Sequence, residues 1–142
     1  MTQEEKELLL KDLSARLPYK VKVQIDFGEH CIKYGIDRYV DDTVICVWPE
    51  TFEVGVNDED QACDIEDVKP YLRPMSSMTD EEKEHLQTLH NIISEENYED
   101  GFSPAAWEAI LDFNNYCHEH HLDNGGLIPI GLALEAPKDM YN

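Results

Sequence analysis

Positive charge is scarce in this chain, and towards its end it almost vanishes. Eleven Lys and Arg stand against 31 Asp and Glu in 142 residues, a formal charge of −20. Residues 1–73 hold 17 acids and nine bases, whereas residues 74–142 hold 14 acids and only two bases, Lys83 and Lys138. A field of that sign repels nucleic acid and anionic membranes and favours a cationic protein surface as partner. Also missing is any apolar run near the ~20 residues that cross a bilayer. The opening residues, Met1 to Lys11, are acidic and amphipathic, unlike the basic-then-apolar start of an export signal. The four cysteines, Cys31, Cys46, Cys63 and Cys117, are scattered without a CxxC pair, so reduced thiols and a cytoplasmic location are expected.

Signatures of catalysis are lacking too. There is no GxSxG and no serine or cysteine in an activating motif. Gly125-Gly126 stands where a helix should end, whereas a phosphate-cradling loop opens one. Carboxylate pairs such as Asp41-Asp42, Asp58-Glu59-Asp60 and Glu66-Asp67 fall in turn-like stretches, where water keeps both groups ionised. Asn57–Asp60 lacks the glycine and glutamate of a calcium loop. No enzymatic activity and no cofactor are expected.

What is present specifies a fold. Thr2 and Glu5 form a capping-box pattern ahead of Leu8, Leu9, Leu10 and Leu13, predicting a first helix that Leu17-Pro18 ends. Val21, Val23 and Ile25 then alternate with Lys20, Lys22 and Gln24, the period of a strand with one wet face. Further short strands are predicted at Cys31–Tyr34, Tyr39–Trp48, Thr51–Val56 and near Ala62–Ile65, which together suggest a small antiparallel sheet or an SH3-like barrel. Lys69-Pro70 and Arg73-Pro74 interrupt regular structure, and the period then returns to 3.6. Thr79 with Glu82 opens a helix carrying Leu86, Leu89 and Ile93, and Ser103-Pro104 opens another that runs to about Leu122. On that last helix Ala106, Trp107, Ile110, Phe113, Cys117 and His121 form one stripe, opposite Glu108, Asp112, Asn115 and Glu119. The apolar tail, broken by Pro129 and Gly131, reads as an ordered strap. The fold class is therefore α+β: residues 1–75 a helix plus a small β domain, and 76–142 an acidic helical half with a C-terminal strap, sharing one core.

Four segments resemble a known family: "LLLKDLSARLPY" (8–19), "IEDVKPYLRPMSSMT" (65–79), "GLALEAPKDMYN" (131–142) and, more weakly, "HHLDNGGLI" (120–128). They are similar to a family of short uncharacterised proteins carried by phages, prophages and mobile elements of gut bacteria. Lys20 stands where that family tends to have glycine, and Asn124-Gly125 where it tends to have an aromatic residue and an arginine. The resemblance implies a genetic context, and hence a bacterial host cell, but transfers no catalytic residue.

Three groups of residues are candidates for a site. Cys117, His118, His120 and His121, with His85 and His90, are the best metal candidates, but no second pair has ligand spacing and metal is not expected. A basic strip of Arg16, Lys20, Lys22, Lys33 and Arg38 interleaves with Tyr19, Tyr34 and Tyr39. Its Tyr19, Lys20, Lys22 and Tyr34 define an alternative contact face on the sheet, in which the acids would only solubilise. The leading candidate is an acidic face of Asp80, Glu81, Glu84, Glu95, Glu96, Glu99, Asp100, Glu108, Asp112 and Glu119. Were the twelve acids between Asp80 and Asp123 to line two helices packed side by side, they would present about one charge per 2–2.5 Å, approaching duplex DNA at about one per 1.7 Å. The expectation is a non-enzymatic accessory protein that binds a basic host or phage protein, with a nucleic-acid mimic as its sharpest form. Neither direct nucleic-acid binding nor membrane binding is expected.

Overall fold

The computed structural model describes residues 1–95, 97, 98 and 101–141. It is an α+β protein whose chain divides into two compact units, residues 1–72 with 125–142 and residues 73–124.

The first unit opens with α1 (Gln3–Arg16). Its capping box closes as the sequence requires, with Glu5 N–H donating to Thr2 Oγ1 at 3.1 Å and Thr2 N–H to the Glu5 carboxylate at 2.8 Å. A 3-10 turn at Leu17–Tyr19 ends on Lys20 in the left-handed region, φ 56°. Then come β1 (Lys22–Asp26), α2 (His30–Lys33), β2 (Tyr39–Trp48), β3 (Glu53–Val56), β4 (Cys63–Asp64) and β5 (Val68–Leu72), and, far along the chain, β8 (Leu134–Glu135). These strands make one sheet ordered β4-β3-β2-β1-β5-β8. Every pairing is antiparallel except the last, which sets Tyr71 beside Leu134 in parallel. Val21, Val23 and Ile25 face inward onto Leu9 and Leu13 of α1, with Val54, Ile65, Leu72 and, from the tail, Leu127 and Leu132. Burying such side chains is worth about 1.5–3 kcal/mol each, which is what fixes the register of β1.

The second unit holds α3 (Asp80–Glu95), the two-residue strands β6 (Asn97–Tyr98) and β7 (Gly101–Phe102), and α4 (Pro104–Glu119). α3 carries the expected box, Glu82 N–H to Thr79 Oγ1 at 3.2 Å and Thr79 N–H to Glu82 Oε1 at 2.9 Å. α4 starts at Ser103, whose Oγ accepts from Ala106 N–H, with Pro104 at the first helical position. Its core is Leu86, Leu89, Ala109, Cys117 and Leu122, with Met75, Met78 and Phe113 against it.

Four expectations are corrected. Cys31–Tyr34 forms no strand: His30–Lys33 is one helical turn that buries Cys31 alone. Lys69-Pro70 lies inside β5. Proline is tolerated there because β8 pairs only with Tyr71 and Leu72, so at Pro70 one edge of β5 carries no ladder. The last helix stops at Glu119, short of Leu122, where His121 turns left-handed at φ 59°. Finally, the strap belongs to the first unit, since β8 completes the sheet and Tyr141 bonds to β1 and β5. The domain boundaries therefore fall at 72/73 and 124/125, and each unit has a core of its own. The sheet is an open six-stranded order, with no pairing of β4 to β8 among the described residues.

Candidate functional site

α3 and α4 are antiparallel neighbours. Glu82 meets His120, with Oε2 and Nδ1 3.2 Å apart, and the rings of His85 and Tyr116 stack at 4.3 Å. Those contacts set Glu119 level with Glu81 and Glu84, and Glu108 level with Glu95. At 100° per residue, Asp80, Glu81, Glu84 and Glu95 share an arc of about 100° on α3, turned away from buried Leu86 and Leu89. On α4, Glu108, Asp112 and Glu119 share an arc of about 40°, away from Ala109 and Cys117. All seven are exposed, and none forms an ion pair among the described residues. Glu96, Glu99 and Asp100 lie outside the described residues. Each 16-residue helix is about 24 Å long, so with both arcs on one side the seven charges would amount at most to one per ~3.4 Å, about half the density of duplex DNA.

Two further acids of this region, Glu82 and Asp123, are buried. Glu82 accepts two bonds from Arg73, 2.7 and 2.8 Å, while Arg73 also donates to the carbonyls of Ser77 and His120. The guanidinium beside Glu82, aided by the Thr79 N–H, holds its carboxyl down at about 2. His120 completes a stack on Tyr116 at 4.1 Å. His85, Tyr116, His120, Glu82 and Arg73 thus form a polar clasp between the two helices. In sequence Glu82 reads only as a cap, and Arg73, seven residues before α3, falls in an apparent break.

No family model, curated protein or solved structure matches this chain.

The metal candidates are dispersed. Cys117 is fully buried in the core of the second unit, His85 and His120 flank Tyr116, and no group of three or more His, Cys, Asp or Glu among the described residues could hold a metal ion. The basic strip does not assemble either. Arg16 is fully buried, its guanidinium paired with Asp12 at 2.8 and 3.1 Å, and Arg38 is committed to Asp26 and Glu29. Of the alternative sheet face, Tyr19 and Lys22 are half-buried and Lys20 is exposed, all near the start of β1. Tyr34, 69% exposed, comes only after α2, beyond the far end of that strand. Near Lys22 the sheet is covered, because the Tyr141 hydroxyl accepts from Lys22 N–H at 3.0 Å and donates to Tyr71 O at 2.7 Å.

Two features were not legible in sequence. A 390 Å³ cleft gathers Asp26, Asp58, Glu59, Asp60, Asp64 and Asp67 around Cys63. Burial and the neighbouring carboxylates Asp64 and Asp26 raise the Asp67 pKa. Burial also pushes the Cys63 thiol up, the opposite of what a nucleophilic cysteine requires. The second feature lies on α4. Trp107, assigned to the buried stripe, is 55% exposed, as are Leu111 at 60% and Phe102 at 41%. The packed side of α4 is carried by Ala106, Ala109, Phe113 and Cys117, and Trp107 sits about 120° away from its centre.

No helix among the described residues is long and apolar enough to cross a membrane.

Proposed function

We propose that this chain is a non-enzymatic accessory protein of phage or mobile-element origin, acting in a bacterial cytoplasm by binding a basic protein surface. The observation that carries the reading is the acid rows of α3 and α4. Seven exposed carboxylates on two adjacent helices have Lys83 as the only lysine or arginine within those helices. Such a surface gains little by staying empty and attracts a cationic partner at long range. At no more than about half the charge density of DNA, the seven acids fit a patch of lysines and arginines on a protein better than a full nucleic-acid groove. Occupation of a DNA- or RNA-binding groove, as a nucleic-acid mimic, would draw on Glu96, Glu99 and Asp100 as well.

The test is capture from host lysate on the immobilised full chain across a salt series. Retention of the partner should fall steeply as salt rises from about 50 to 200 mM, because exposed charges are then screened within a Debye length of about 8–10 Å. Joint reversal of Glu95, Glu108 and Asp112 to Lys should abolish it. A partner held equally well in high salt, or by the reversed variant, would remove the proposal.

A second reading, an adaptor using the sheet side, is favoured by one observation: Tyr34 stands exposed beside Ile32 and Ile36, which are also exposed. In that case Tyr34→Ala would release the partner and the acid reversals would not.

A further inference from the structure

The acid rows explain attraction but not selectivity, and α4 carries a second row that would supply it. Trp107 and Leu111 are four residues apart, so they stand one above the other on one side of the helix, about 6 Å apart along its axis. Phe102 extends the row past the helix start, its ring edge-on to Trp107 with centroids 5.7 Å apart. Single exposed apolar side chains are ordinary on a protein surface; three in a row that include a tryptophan are not. Tryptophan dominates binding energetics because it offers a large rigid area at small entropic cost. About 100° round the same helix run Glu108, Asp112 and Glu119. One helix thus presents an apolar row and an acidic row side by side, facing outward.

We infer that the Phe102–Trp107–Leu111 row and the Glu108–Asp112 row together dock an amphipathic basic helix of a partner protein. The partner would place apolar side chains at i and i+4 on Trp107 and Leu111, and lysines or arginines about 100° round its own axis against Glu108 and Asp112. The charge decides between occupants. Residues 73–124 hold twelve acids and two bases, Arg73 and Lys83, and Arg73 is bound to Glu82. An acidic or neutral apolar segment would therefore leave the carboxylates repelled or unpaired beside the contact, and a second copy of this chain would bring acid against acid. This inference rests on the proposed binding of a basic surface and names the shape of that surface.

The test is calorimetric titration of the full chain with three synthetic peptides of about five helical turns. The first is built from Leu and Lys with the leucines on one helical side, the second has the same composition in scrambled order, and the third is lysine alone. The facial peptide should bind at least about tenfold more tightly than the scrambled one. Trp107→Ala and Leu111→Ala should each remove most of that advantage while leaving the lysine peptide unchanged. Both side chains are exposed, so circular dichroism should show both variants folded. In a Trp48→Phe background, Trp107 is the single tryptophan, and its emission should shift to the blue on adding the facial peptide. Equal binding of facial and scrambled peptides, indifferent to Trp107→Ala, would overturn the docking row and leave the purely electrostatic proposal standing. Failure of all three peptides to bind at low salt would overturn both. Self-association of the free chain that Trp107→Ala abolishes would assign the row to a second copy and overturn the inference.

Discussion

Lys20 sits at φ 56° just after the 3-10 turn, its N–H reaching back to Leu17 O at 3.4 Å. A side chain in that region costs about 1 kcal/mol or more, which glycine avoids. Lys20→Gly should stabilise the protein by about 0.5–1 kcal/mol in urea denaturation, the lower end reflecting glycine's freedom in the unfolded chain. Arg16 and Asp12 make the opposite case: a charge pair wholly inside the first unit. Asp12→Ala would leave the guanidinium buried without that counter-charge and should cost about 3–5 kcal/mol, read as a lowered urea midpoint. The burial of Arg16 does not announce itself in sequence, because a buried arginine and an exposed one are spelled alike.

Single helices show what was readable. Thr2 with Glu5, Thr79 with Glu82, and Ser103 with Pro104 each predict a helix start, and each is a start, since a cap is a bond between residues three apart. Elements defined by distant partners were hidden. β8 is two residues long and exists only because Tyr71 and Leu72 lie beside it. α2 is four residues, too short for a 3.6-residue period to show, and Ile32 with the adjoining Tyr34 favours a strand reading. The acid rows were legible as charge, but Trp107 was assigned inward because a wheel shows which residues share a side and not how wide the packed side is.

The clasp on α3 has a measurable pH signature. Glu82 titrates at about 2 when folded and at its ordinary 4.5 when unfolded. Its contribution of about 3 kcal/mol is therefore fully present above pH 4.5 and lost as pH falls towards 2. Glu82→Gln should be less stable at neutral pH, and the difference should close in that acid window when thermal midpoints are compared. Tyr71 and Tyr141 give the mirror image in the sheet. Burial pushes both phenols up to about 12, Tyr71 also through its bond to Asp41, so the stability they confer holds below pH 10 and fades between 10 and 12. Tyr141→Phe should flatten part of that alkaline loss.

Across the whole molecule, the two units differ in how much they bury. Among the described residues, the first core gathers fifteen buried apolar residues from α1, four of the strands, the turns beside them and the tail, and the second core five from two helices and their flanks. Local opening follows buried contact, so amides of β1 and β5 should exchange more slowly than those of α3 and α4 in native-state hydrogen exchange. Equal protection across both would show that they open as one. The negative field belongs to this scale as well, because it is the sum over many exposed carboxylates and no single one is indispensable to it. Sequence composition reported that sum correctly but could not say which acids are spent inside, as Glu82, Asp12 and Asp123 are.

Because Leu134 must reach Tyr71 to finish the sheet, order of synthesis and order of assembly diverge. A ribosome delivers residues 73–124 complete while the strands before them still wait for their final partner. The helical pair can therefore mature first on the nascent chain, and a product cut short before Leu134 would display β5 as a bare edge, a template for aggregation and a target for proteases.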